Sequence, residues 1–183
     1  MCWLSTLLAG RPCCGKTKCA LLVAIDVACL NEYDVIIFSL QHEKTELMNM
    51  ISARNREIER KLNVIDTAGI SVEEIVFQID KIVEHPRYIF CVIDELPLVS
   101  CSKDFKYRRE EIQYIITKLR EYVLDKNVDI LATLLISVYL PNSMSREDAL
   151  RAYAPAEFWM ERQSNISNGK VIGEVSNTVT FLD

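Results

Sequence analysis

A three-layer α/β fold with a mainly parallel sheet is what the sequence predicts, from three observations. Short β-branched apolar runs alternate with longer helical-period segments; a glycine-rich turn joins the first run to the first helix; and 183 residues, half apolar and a quarter charged, suffice for one globular core. Antiparallel strands are expected at the carboxyl-terminal edge, where the strand-like runs lose their helical partners.

The elements follow in order. Trp3 to Ala9 reads as strand one, and Lys16 to Leu30 as a buried helix. Val35 to Leu40 (VIIFSL) is β-branched enough for a strand covered on both faces, and Glu43 to Leu62 repeats apolar residues at Leu47, Ile51, Ile58 and Leu62, predicting one long helix. Val64-Ile65 is a third strand candidate, and Ser71-Val-Glu-Glu74 spells a capping box opening a helix to about Glu84. Tyr88 to Ile93 is the fourth strand, ending at Asp94-Glu95. Glu110 to Lys126 sets Ile112, Ile115, Ile116, Leu119 and Val123 on one helical face, and Val128 to Ser137 is a fifth buried strand. Phe158 to Met160, Lys170 to Val175 and Thr178 to Leu182 read as shorter strands.

Composition bounds the function. Gly and Pro number five each, with no linker, repeat or low-complexity run, so the chain is expected to form a single ATP-binding domain over 1–183. The apolar start from Cys2 to Leu8 is too short to span a membrane and lacks the flanks of a secretory signal, which predicts a cytoplasmic protein. Seven cysteines without framework spacing predict reduced thiols, and the spacing of Cys13, Cys14 and Cys19 is wrong for zinc, leaving them as small hydrophobes. A net charge of −5 excludes a surface that coats nucleic acid throughout, so any basic patch must be local.

The chemistry begins at Gly10-Arg11-Pro12-Cys13-Cys14-Gly15-Lys16-Thr17, a full match to GxxxxGK[ST] set between a strand and a helix. Gly10 and Gly15 let the backbone curl so that successive amides and the positive helix end face phosphate oxygens. Lys16 adds a cation for the β- and γ-phosphates, and the Thr17 hydroxyl is a ligand for Mg²⁺, a hard ion that takes few protein ligands beside phosphate and water. Asp94, at the carboxyl end of a strand where such sheets collect ligands, is the carboxylate expected to complete the metal site. Glu95 follows it and is placed to polarise an attacking water; the other reading has it holding a neighbouring loop. Finally, 102–109 (SKDFKYRR) interleaves Lys103, Lys106, Arg108 and Arg109 with two aromatics. That composition suits phosphate contact and base stacking, and equally a solvated loop.

Several of these segments together resemble the motor domain of DnaB-type replicative DNA helicases, members of the RecA-like P-loop ATPases. TLLAGRPCCGKT at 6–17 is similar to that family's phosphate loop, and VIIFSLQHEKTEL at 35–47 to its second strand and following turn. IDTAGISVEEI at 65–75, YIFCVIDELPLVS at 88–100 and REEIQYIITKLREYVLDKNVDILAT at 109–133 match the later blocks. The resemblance implies ATP and Mg²⁺ as cofactors, a homo-oligomeric ring, and single-stranded DNA held in the ring's channel by the loop at 101–109.

The departures fall on positions that act on the γ-phosphate. Where the family places its catalytic glutamate stands Gln41, which cannot accept a proton from water, leaving Glu43 or Glu95 to compensate. Leu135 stands where the family's nucleotide-sensing Gln ends a strand. The stretch 172–183 carries no basic finger for a neighbouring subunit's nucleotide, and Arg162 and Lys170 are poor substitutes by position. Two functions therefore stand side by side: an ATP-driven DNA motor, and a regulatory module that binds ATP without productive hydrolysis. A small P-loop kinase is a third, with 142–152 its only lid-like segment.

Overall fold

The computed structural model describes residues 6–10, 13–30, 33–53, 57–82, 88–126 and 128–135, and the strands at 158–163, 166–167, 170–171 and 176–181. Strands β1 (Thr6–Gly10), β2 (Tyr33–Ser39), β3 (Leu62–Ile65), β4 (Tyr88–Asp94), β5 (Val128–Leu135), β6 (Phe158–Gln163) and β9 (Ser176–Phe181) form one sheet in the order β3-β2-β4-β5-β1-β6-β9. All neighbours run parallel except β6 and β9, which pair antiparallel, while β7 (Ile166–Ser167) and β8 (Lys170–Val171) make a separate antiparallel hairpin. The antiparallel edge is as expected, although β6 itself keeps the parallel direction beside β1.

Helices α1 (Lys16–Cys29) and α2 (Lys44–Ser52) cover one face, and α3 (Val72–Asp80) and α4 (Arg108–Asp125) the other. Successive strand side chains point to opposite faces, so β2 sends Val35 and Ile37 towards α1 and α2, and Ile36 and Phe38 towards α3 and α4. In β4, Val92 and Cys91 divide in the same way. This is why the strands read as continuous apolar runs. Ala20, Ala24 and Ala28, one turn apart and unexposed, form a flat stripe that lets α1 lie close to the sheet. Each fully buried Ile, Leu or Phe contributes about 1.5–3 kcal/mol against exposure.

The Ser71 capping box is present as the sequence predicts: the Ser71 hydroxyl accepts from the Glu74 amide at 3.2 Å, and the Glu74 carboxylate accepts from the Ser71 amide at 3.0 Å. The single helix expected over 43–62 is not formed. α2 ends at Ser52, a 3-10 turn spans Ile58–Lys61, and Leu62 already belongs to β3. Leu47, Ile51, Ile58 and Leu62 nevertheless enter the same core cluster, so the periodicity correctly marks a shared destination while the backbone changes form. Of the cysteines, Cys14 and Cys91 are buried, Cys13 and Cys29 are exposed, and none of those described is in a disulfide. Among the described residues no helix is long and apolar enough to cross a membrane.

Candidate nucleotide site

The phosphate loop leaves the sheet at Gly10, whose register partner on β5 is Leu135. Arg11 and Pro12 lie outside the described residues. The chain then turns through Cys13 at φ 58° and Gly15 at φ 92°, a left-handed conformation for which glycine carries no Cβ penalty. Gly15 caps α1 without a side chain, and the first turn of that helix carries no acidic residue. The helix end thus keeps its amide donors and positive dipole for an anion instead of an internal carboxylate. Lys16, the first residue of α1, is only 7% exposed.

The buried polar and charged side chains among the described residues are Lys16, Ser39, Asp94, Glu95 and Thr133, and all lie where the loop meets the carboxyl ends of β2, β4 and β5. Such groups are costly to bury unless satisfied, so their gathering at one end of the sheet marks the site better than any single residue does. Asp94 is 3% exposed, and its Oδ1 accepts from the Thr17 hydroxyl at 3.2 Å and the Thr133 hydroxyl at 2.6 Å. Its Oδ2 is buried and has no hydrogen-bond partner. A carboxylate oxygen left open beside a loop hydroxyl is the donor set a divalent ion lacks when phosphate and water supply the rest of its shell, so Thr17 and Asp94 fit Mg²⁺. Among the described residues there is no cluster of three or more His, Cys, Asp or Glu for a protein-only metal cage.

Glu95 is 6% exposed and lies beside Lys16. Burial pushes its carboxyl above the usual range; Lys16 opposes that shift, the Asp94 charge adds to it, and the Leu135 amide donating to the carboxylate opposes it. The bend after β2 is built differently. Gln41 and Glu43 are exposed; Glu43 precedes α2 and makes no side-chain cap. The Ser39 hydroxyl, on the residue paired with Asp94 across β2 and β4, donates to the His42 carbonyl at 2.7 Å and so pins this bend to the sheet edge. Of the glutamates proposed to replace the missing base, Glu95 is the one enclosed with Lys16.

The segment between β4 and α4 is braced from below. Ser102 Oγ donates to Glu73 at 2.9 Å, and the Val72 amide donates to the Ser100 carbonyl at 2.9 Å. The Arg108 guanidinium donates to the Pro97 and Val99 carbonyls at 2.5 and 2.6 Å and pairs with Glu111. It is therefore committed to holding the loop. Lys103 lies over the Tyr114 ring at 4.6 Å, Phe105 contacts the same ring at 5.4 Å between centroids, and Lys106 lies over Tyr107 at 5.2 Å. With exposed Arg109 they form an aromatic and cationic platform on one side of α4.

Two residues of this site were missed by sequence reasoning, Thr133 and Ser39. Their signal is a hydroxyl ending an otherwise apolar strand beside the carboxylate strand. The lid-like segment 142–152 lies outside the described residues, as do the side chains of Arg162 and Lys170.

No protein-family model matches the chain, and no curated protein does. Solved structures do. The chain is similar to an ATPase domain solved as a separate structure, with a TM-score of 0.70 and 21% identity over 97% of this chain and 80% of that one. It is similar at the same score and identity to a DnaB-like replicative helicase studied with primase, where it covers 97% of itself and 55% of that chain. The chain thus spans about half of the latter protein. The likeness shows the fold, that of the RecA-like ATPase domain of DnaB-like helicases.

Proposed function

We propose that the chain is an ATP-binding domain working with Mg²⁺ in DNA replication, in the manner of a DnaB-type helicase motor. The observation that carries this reading is the Asp94 carboxylate, hydrogen-bonded through one oxygen to Thr17 and Thr133 and left with its other oxygen buried and unpartnered. Gly10 and Cys13 to Gly15, with Arg11 and Pro12, wrap the phosphates; the α1 amides and Lys16 bind their oxygens. Thr17 and Asp94 hold Mg²⁺, which when bound spreads the charge of the β- and γ-phosphate oxygens. Glu95 takes the proton of the attacking water, a role its enclosed position beside Lys16 supports better than exposed Glu43. Lys103, Lys106 and Arg109 contact single-stranded DNA, with Arg108 positioning the segment they stand on. Identical chains assemble as a ring.

Gln41 favours a second reading, in which the chain binds ATP but turns it over too slowly to act as a motor. Absence of a general base costs about 10²- to 10⁴-fold in rate, and absence of an arginine from the neighbouring subunit about 10³- to 10⁵-fold. ATP hydrolysis by the purified protein with and without single-stranded DNA, measured beside ATP binding, separates the two. DNA-stimulated turnover supports the motor, binding without turnover supports the regulatory module, and absence of ATP binding overturns both.

A further inference from the structure

We propose that Thr133 is a positioning residue for the metal-binding carboxylate, fixing Asp94 so that Oδ2 is the oxygen presented to Mg²⁺; this rests on the nucleotide-site reading above. Thr133 stands on β5, inside a strand whose other described core residues are apolar, and is 0% exposed. A hydroxyl buried there without a partner would cost about 1–3 kcal/mol, and Asp94 Oδ1 at 2.6 Å is the partner it has. Register explains the pairing. Ile93 lies opposite Ala132, so the next residues, Asp94 and Thr133, meet at the point where the two strands end their ladder.

A carboxylate on a single Cβ–Cγ bond can turn either oxygen towards a cation. Here Oδ1 is claimed twice, by Thr17 from the loop and by Thr133 from the sheet, while Oδ2 is claimed by neither. The Thr17 hydroxyl belongs to the loop that wraps the nucleotide and is itself a candidate ligand. Thr133 belongs to the central sheet and has no such second task. Its bond therefore holds the carboxylate's orientation whichever way Thr17 is engaged. Partners of metal ligands that act in this way typically change metal affinity by roughly 10- to 100-fold when removed.

The test is ATP affinity measured calorimetrically in EDTA and in Mg²⁺, for the wild type and for Thr133→Val, Thr133→Ala and Thr133→Ser, with circular dichroism confirming the fold. Valine keeps the shape of threonine and removes the hydroxyl; alanine is a second hydroxyl-free variant should valine disturb the ladder. Expected is an EDTA affinity equal to wild type in all three. The gain on adding Mg²⁺ should fall by roughly 10- to 100-fold in Thr133→Val and Thr133→Ala and stay near wild type in Thr133→Ser. A full Mg²⁺ gain in both hydroxyl-free variants, or a loss in Thr133→Ser as large as theirs, overturns the proposal. If instead wild type fails to bind ATP, or Lys16→Ala binds as well as wild type, the nucleotide-site reading has failed beneath it.

Discussion

The carboxyl end of β4 and the segment that follows it carry the same kind of side chain in opposite settings. At Asp94 and Glu95 the charges are buried, and every neighbour can be named: Thr17, Thr133, Lys16 and the Leu135 amide. From Lys103 to Arg109 the charges stand in water over aromatic rings. Burial removes the alternatives open to a charged group, so its geometry there reports a purpose. Exposure leaves them open, and only Arg108, tied to two carbonyls and Glu111, has its task fixed by contacts.

The largest effect that can break this contrast is on turnover. Glu95→Gln keeps the shape and removes the basic oxygen, and ATP hydrolysis in a steady-state assay should fall by about 10²- to 10⁴-fold with ATP affinity little changed. An unchanged rate would return the base to the exposed bend at Glu43. Gln41→Glu in the wild-type background should then raise the rate, because it restores a carboxylate where the family resemblance expects one. Next in size is binding: Lys16→Ala should weaken ATP affinity by about 10- to 150-fold, the equivalent of one charged hydrogen bond of about 1.5–3 kcal/mol.

On the exposed side the expected effects are smaller and of two kinds. Arg109→Ala should weaken single-stranded DNA binding and flatten its salt dependence by about one counterion, with no change in melting temperature. Arg108→Ala should do the reverse, lowering stability by about 1–3 kcal/mol as two carbonyls and Glu111 lose their partner. If both variants behaved alike in a salt titration of binding and in thermal melts, the division between a positioning arginine and a contacting one would be wrong.

The same contrast explains what can be read from residues alone. The phosphate loop is legible because its glycines and Lys16-Thr17 answer to local backbone chemistry, and the strands because burial on both faces leaves β-branched runs such as Val35 to Phe38. Asp94 is legible from its place at a strand end. Thr133 is not, since its role depends on β5 lying next to β4, a neighbour 39 positions away in the chain. Arg108 groups with its basic neighbours in the sequence because composition records a charge and not its direction. The helix expected to continue to Leu62 fails for a related reason: Ile58 and Leu62 keep the helical period, yet they reach the core from a 3-10 turn and an edge strand.

The smallest effect asks whether the two regions are mechanically joined. α3 begins at the Ser71 capping box, and its first turn carries Glu73, which receives the Ser102 hydroxyl, while Ser71 and Ser100 form a parallel bridge. The start of this helix is therefore the floor on which the basic segment rests, and it makes no hydrogen bond to Thr17, Asp94 or Thr133, whose contacts are with one another. Ser71→Ala removes the cap at a cost of about 1 kcal/mol, a shift of about 2–4 °C in melting temperature for a domain of this size. Loosening the floor should also weaken single-stranded DNA binding slightly, with ATP affinity at its wild-type value. A parallel drop in ATP affinity would mean that strain in the loop reaches Asp94 through the end of β4, and that the buried and exposed regions respond as one unit.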